Sequence, residues 1–494
     1  MTESLESTQQ RGSLRRIVLK NTAVVMLGSA ILKAINFIFS VYIVRQLGDE
    51  RFGQYSVVLA FVGLFQIFAE LGVSQYAMRE IAQDREKTRP IFWNLMAVRL
   101  ILAGFGVVGI TLAAVGFGYE PRLILGVFIF TTTFLLMAVQ APLQTVLTAW
   151  ERFDLVTAMN ILGQVSFVFF GAIFLFSGMN YIWLIVASLL SIPPQILVGL
   201  WAVRKQRLLK GPVEFSPNTW PQLIRHGLPF GIIALTLTIA FSVDSLILKA
   251  HQPDYVVGWY RVAYNLVFSI MFLTYAFKDA IVPSLSRTYV SDPTEVERWY
   301  YRTLRFITII SIPIAVGGML TAYPIIRFLY TEEFSKSAAA LQIIVWDVPF
   351  LMFSSFCGNI TTIVRQEKAA ARIYATIAIF NITGNLIVIP VYSYLGAAVM
   401  TVLTDLLSAI QLYFLLRHKL HLPNMGYFLL RVLCASALMG IVISMAGKAH
   451  IFVLVGLGAI VYGVAIILLR VLDKREWSLI WRLLRLERKE MAAG

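Results

Sequence analysis

The sequence predicts an all-α polytopic membrane protein of about 14 transmembrane helices, and three observations carry the prediction. Hydrophobic residues fill 58% of the 494 positions and charged residues only 14%. The mean hydropathy of +0.75 leaves too little polar surface for a soluble chain of this length. Apolar runs of about 20 residues, each long enough to cross a bilayer, recur from end to end. Lys and Arg crowd every second turn between those runs.

Segments 1 to 6 fall near 21–45, 53–76, 90–115, 122–149, 155–177 and 181–203. Segments 7 to 12 fall near 225–249, 256–282, 303–323, 338–363, 370–391 and 395–416, and segments 13 and 14 near 427–447 and 450–471. Residues 1–20 are polar and basic, and the first apolar run exceeds the h-region of a signal peptide, so segment 1 reads as an uncleaved membrane helix. With the N-terminus inside, about 30 Lys and Arg lie on the cytoplasmic side and about 7 outside, which makes both termini cytoplasmic. That asymmetry accounts for the net charge of +15 without nucleic acid as a partner. Cys357 and Cys434 both lie in apolar segments, away from any ligand-spaced companion, which excludes a disulfide framework.

The outer turns are short, the longest being 324–337, so no external catalytic domain is expected. The tail 470–490 carries Trp477, Ile480, Trp481 and Leu484 on one face with Arg482, Arg485 and Arg488 around it, an interfacial anchor pattern.

An echo divides the chain. Asp49-x-x-x-Gly53-x-Tyr55 opens segment 2, and Asp254-x-x-x-Gly258-x-Tyr260 opens segment 8. A repeat of six helices gives two lobes of parallel topology related by an axis along the membrane normal. The expected divisions are an N-terminal lobe 1–210, a C-terminal lobe 211–420, and segments 13 and 14 with the tail over 421–494.

Polar stripes interrupt four segments. Segment 1 carries Ser29, Lys33, Asn36 and Ser40; segment 2 carries Ser56, Gly63, Gln66 and Glu70. Segment 8 carries Arg261, Asn265, Ser269 and Asp279; segment 12 carries Thr401, Thr404, Asp405, Ser408 and Gln411. Stripes from both halves suit an aqueous cleft between lobes, while hydroxyls and amides also serve as interhelical hydrogen-bond glue. Ionisable groups at bilayer depth are expensive and point to function. Lys33 at mid-depth, Arg99 below it and Arg261 above it form staggered cations suited to an anionic cargo such as a diphosphate, with Asn36, Asn265 and Glu70 beside them. For Arg99 a structural pair with Glu70 is the favoured reading, and Lys278 beside Asp279 reads as snorkelling.

A second set is oxygen-rich: Asp244, Asp347, Asp405, Asn381, Asn385 and Thr401. Such donors suit a hard cation or a proton, so the expected coupling ion is Na+ or H+, with no transition metal. Pairing of each Asp with a lobe cation such as Arg261 is the alternative. His226, His251, His418, His421 and His450 lack metal spacing, and no nucleotide-binding glycine loop or hydrolase motif occurs.

The run Arg45-Gln46-Leu47-Gly48-Asp49-Glu50-Arg51-Phe52-Gly53-Gln54-Tyr55-Ser56 resembles the helix 1–2 junction of polysaccharide-transporter-type flippases. So does Glu70-Leu71-Gly72-Val73-Ser74-Gln75-Tyr76 followed by Arg79-Glu80-Ile81-Ala82. Asn381-x-x-x-Asn385-Leu386-Ile387-Val388-Ile389-Pro390 and Gly396-Ala397-Ala398 are similar to that family's helix 11–12 junction. The resemblance covers nearly the whole chain and implies a member of the multidrug/oligosaccharidyl-lipid/polysaccharide exporter superfamily. It further implies two six-helix lobes around a cationic cavity, two added C-terminal helices, and translocation of polyprenyl-diphosphate-linked sugars across the inner membrane by alternating access. Related lipid II flippases hold a monovalent cation on helices 7, 11 and 12, where Asp244, Asn381, Asn385, Thr401 and Asp405 fall.

The expected function is therefore an O-antigen or oligosaccharide flippase, driven by an ion gradient or the membrane potential. Its partners would be the lipid-linked substrate, the bilayer, and the polymerase and glycosyltransferases of the same pathway. A lipid II flippase would carry more arginines on segments 1 and 2, and a cation-coupled drug exporter would want an acidic cavity in the first lobe. A membrane glycosyltransferase or polymerase would want acidic or histidine residues on a long outer loop, so an enzyme is not expected.

Overall fold

The computed structural model of the chain describes residues 2–270, 293–418, 420, 425–447 and 449–472. Lys278, Asp279, His421 and the tail past 472 lie outside the described residues. Within them the regular elements are helices, with no strand. In order they are α1 (Thr2–Phe65), α2 (Val73–Gln83), α3 (Thr88–Gly116), α4 (Pro121–Ala149), α5 (Phe153–Phe176), α6 (Tyr181–Leu190), α7 (Ile192–Lys205) and α8 (Trp220–His251). There follow α9 (Asp254–Ile270), α10 (Pro293–Leu320), α11 (Ala322–Leu329), α12 (Ser337–Ile344), α13 (Asp347–Ile363), α14 (Glu367–Arg417), α15 (Gly426–Met445) and α16 (Ile451–Leu468).

Each apolar segment read from the sequence falls mainly on helix where it is described, because a chain in lipid satisfies its backbone only by closing its own hydrogen bonds. Among the described residues nine helices are long and apolar enough to cross a membrane, or ten with α12 and α13, bent by 44°, as one span. The difference from about 14 arises partly where two segments run on as one. α1 continues through Gly48 at φ 72, ψ 176, a backbone region open essentially to glycine alone. α14 continues through Ser393 at φ 54, ψ −140, where a non-glycine residue carries strain of about 1–3 kcal/mol.

Two local expectations change. Segment 2 is not one helix: it tightens to a 3-10 turn over Gln66–Ala69, then unwinds through Leu71 (φ 48) and Gly72 (φ 70) before α2 begins. Glu70 therefore sits in an unwound turn rather than on a helical face with Ser56 and Gln66. The turn 324–337, expected to lie outside, is largely helical, as α11 and a 3-10 turn over Glu332–Phe334, because Ala322, Ile326 and Phe334 are buried.

By their contacts the residues group into two compact units, one of Met1–Arg261 with Asn385–Ser393, the other of Val262–Gly384 with Tyr394–Gly494. In the first, Ile81, Phe92, Leu143, Leu147, Met159 and Val203 from α2, α3, α4, α5 and α7 form a buried cluster. The segment after α7 is fastened to α3. Buried Asn94 accepts from the Ser216 amide and from Trp220 Nε1, both at 2.8 Å, and its Nδ2 donates to the Glu214 carbonyl at 3.1 Å. Arg89 adds an ion pair to Glu214 and a 3.0 Å bond to the Lys210 carbonyl.

The two copies of the echoed motif meet in this unit. A Cβ on Gly53 would collide with the Asp254 carbonyl, and a Cβ on Gly258 with the Asp49 carbonyl. Trp259 Nε1 donates to Asp49 Oδ2 at 3.0 Å across the same crossing. Small residues let two helix starts approach backbone to backbone, as van der Waals packing in lipid requires.

In the second unit α15 and α16 pack on α10 through Val432, Ile466 and Val471, with Ile309 and Ile312 against them. Buried Arg305 of α10 donates to the Val471 carbonyl at 2.8 Å and stacks 4.4 Å from the Phe428 ring. Arg431 donates to the Arg470 carbonyl at 2.8 Å. The two cations thus satisfy carbonyls just past the end of α16, where a helix leaves acceptors unpaired and a partial negative charge.

Candidate functional site

The expected substrate-binding residues separate by burial. Lys33 and Asn36, one turn apart on α1, are both exposed. Arg261 and Asn265, one turn apart on α9, are half-buried. Arg99 is buried within α3. Its guanidinium lies 3.1 Å from Glu70 and donates to Ser74 Oγ at 2.5 Å, so it holds the unwound turn of segment 2 against α3. The unwinding explains the geometry: Glu70 precedes the left-handed Leu71-Gly72 pair, and Ser74 follows it in the first turn of α2.

The expected coupling residues fall in both units. Asp244 and Asn385 belong to the first, and Asp347, Asn381, Thr401 and Asp405 to the second. Asp244 is buried on α8. Tyr260 donates its hydroxyl to one carboxylate oxygen and the Ser245 amide donates to the other at 2.7 Å. Arg261 lies near enough to act on Asp244 electrostatically. Tyr260 is a site residue that sequence reasoning passed over, although the echoed motif ends on it.

In the second unit the Asp347 and Asp405 side chains are in hydrogen-bond contact. Asp347 opens α13 at the bend after α12 and is buried; Asp405 lies on α14 and is partly buried. Asp347 Oδ1 has no further partner. Asn381 Nδ2 donates to Thr404 Oγ1 at 3.1 Å, which leaves its Oδ1 unsatisfied. Asn385 is fully buried with neither amide atom paired. Thr401 turns its hydroxyl to the Ala397 carbonyl at 3.0 Å. Orphaned buried oxygens of this kind fit a hard cation or water, and the carboxyl pair fits a proton. Among the described residues no three His, Cys, Asp or Glu side chains gather as a metal site.

The sequence also paired nothing with Cys357. Its thiol lies 3.2 Å from the Tyr300 hydroxyl, both buried. This polar contact in an apolar core had no periodic signal to reveal it.

Residues 18–289 match the family described as polysaccharide biosynthesis protein, and 229–387 match the MatE family. A protein of Shigella flexneri described as "Putative O-antigen transporter" is 22% identical over 419 residues, covering 81% of this chain and 97% of its own. Among solved structures, the lipid II flippase MurJ in its inward closed conformation superposes with a TM-score of 0.74 at 15% identity, over 90% of this chain and 99% of its own. An inward-facing multidrug resistance MATE family transporter of the MOP superfamily superposes with a TM-score of 0.65 at 16% identity, over 78% and 94%.

Proposed function

The chain belongs to the polysaccharide biosynthesis protein family, whose match covers more than half of it, and from that premise we propose a flippase for polyprenyl-diphosphate-linked oligosaccharide. It moves an O-antigen or related repeat unit from the cytoplasmic to the outer leaflet of the inner membrane by alternating access, with both termini cytoplasmic. It is a transporter rather than an enzyme, as its relatives are described. The observation that carries the reading is Lys33, an exposed cation within the first apolar segment on α1, in a chain that aligns over 97% of the protein described as "Putative O-antigen transporter".

In this reading Lys33 and Arg261 hold the diphosphate by charge-assisted hydrogen bonds, with Asn36 one turn from Lys33. Arg99 keeps Glu70 in place and does not itself carry cargo. The lipid tail stays in the bilayer while the sugar crosses. The drive is an ion gradient or the membrane potential, which supplies about 2.3 kcal/mol per charge per 100 mV. The Asp347–Asp405 pair and the unsatisfied oxygen of Asn381, all in the second unit, are the groups through which H+ or Na+ acts. The polymerase and glycosyltransferases of the pathway are its functional neighbours.

Complementation tests the assignment. In a cell lacking its flippase, the wild-type gene restores surface polysaccharide, and Lys33→Ala with Arg261→Ala does not. Full restoration by that double variant overturns it.

A further inference from the structure

An open recess of about 460 Å³ is formed by residues of the first unit, among α1, α4, α5, α6 and α7. It is distinct from Lys33, Arg261 and the buried carboxylates, and none of the residues lining it is charged. Its polar groups are the amides of Asn160, Gln164 and Gln195, and its aromatic rings are Tyr55, Phe130 and Phe167. The volume is that of an ordinary small-ligand site, which runs from about 300 to 1,000 Å³.

Its polar groups are held in place and incompletely satisfied. Gln195 Nε2 donates to the Ser191 carbonyl at 3.1 Å, and Gln195 Oε1 accepts from Gln140 at 3.3 Å. Gln140 is itself bonded to Gln144 at 3.0 Å. Ser188 and Ser191 donate to carbonyls one turn back, at 2.6 and 2.7 Å, leaving their oxygens able to accept from a ligand. Gln164 Nε2, shielded from solvent, has no acceptor in the protein. Gly163 makes room for this arrangement, since a Cβ there would collide with the Gln195 amide.

That lining selects among ligand classes. An acyl chain would leave the buried Gln164 amide without a partner, a penalty of about 1–3 kcal/mol. A phosphate would lose its hydration with no cation to replace it. A cationic drug would meet no carboxylate. A pyranose ring suits the lining: its hydroxyls both donate and accept, and its C–H face meets the electron-rich face of an aromatic ring.

We propose that this cavity binds one uncharged sugar ring of the transported oligosaccharide, apart from the groups that hold the diphosphate. The assignment rests on the flippase reading above. It explains why Asn160, Gln164 and Gln195, with Gln140 bonded behind Gln195, gather around one recess.

The test uses the full chain in lipid nanodiscs and saturation-transfer NMR with the methyl glycosides of glucose, galactose and N-acetylglucosamine, beside glucose 1-phosphate. At least one neutral glycoside is expected to bind and glucose 1-phosphate to be rejected. Gln164→Leu, and Gly163→Ala acting through the displaced Gln195 amide, should each weaken binding about tenfold. Binding to wild type needs no variant to fold, so absence of signal from all three neutral glycosides overturns the proposal. So does a signal that neither substitution changes, or equal binding of the phosphate. If glycosides fail while complementation still depends on Lys33 and Arg261, the sugar subsite alone is wrong. If glycosides bind but the double variant complements fully, the flippase assignment is wrong and the cavity stands as a sugar site.

Discussion

Gly53 and Gly258 occupy equivalent places in a crossing where each motif copy rests on the backbone of the other: Gly53 against the Asp254 carbonyl, Gly258 against the Asp49 carbonyl. A short sequence echo thereby becomes a reciprocal contact between two helix starts. The Trp259–Asp49 bond closes it on one side only, so the symmetry is one of backbone rather than side chains.

Gly53→Ala and Gly258→Ala should each destabilise the protein by about 1–3 kcal/mol or more, because the obstacle is main chain and no rotamer relieves it. Thermal unfolding in detergent reads the loss. A substitution at either site that leaves the transition unchanged contradicts the crossing.

Asn94→Leu should release the segment after α7. It removes the three hydrogen bonds to that segment, about 1 kcal/mol each, besides one to the Pro90 carbonyl, and leaves Trp220 Nε1 and the Ser216 amide without their acceptor. Limited proteolysis should then cut between 206 and 219 faster than in wild type, before global unfolding.

Arg305→Ala should loosen α15 and α16 from α10. The Val471 carbonyl loses its donor, worth about 1–3 kcal/mol, and Phe428 loses its cation. Arg305→Lys should recover only part, since a compact ammonium cannot both reach the carbonyl and stack on the ring. Hydrogen exchange over 426–447 should rise in the order wild type, Lys, Ala.

Much of this arrangement was legible in the sequence, and the limits follow from what a single segment records. Each helix advertises itself because lipid demands a long apolar run, and the Glu70–Arg99 pair was foreseeable from two opposite charges at similar depth. The unwinding at Glu70 was not, because Leu71 takes a left-handed conformation that its side chain does not favour. Asp347 and Asp405 were grouped as oxygen donors, but their direct contact depends on how α13 and α14 pack. Gln164 and Gln195 were passed over because a lone amide in an apolar run looks like helix glue until four helices converge on it. Arg305 was missed because an arginine near a segment end ordinarily reaches water, and this one turns to a carbonyl inside the unit.

Asp405→Asn should uncouple transport from the ion gradient rather than unfold the protein. An amide retains a donor for Asp347 but cannot release a proton. Flipping in vesicles should lose its dependence on an imposed pH or sodium gradient; retention of that dependence contradicts a coupling role.

The central assignment, a lipid-linked oligosaccharide moved on Lys33 and Arg261, is tested most directly by reconstituted flipping. Proteoliposomes loaded with a fluorescent polyprenyl-diphosphate oligosaccharide should show gradient-driven transfer between leaflets. That transfer should fall at least about tenfold in Lys33→Ala and in Arg261→Ala, as expected for loss of a charge-assisted contact. Equal transfer by wild type and both variants, or no transfer by wild type under any gradient, would contradict it.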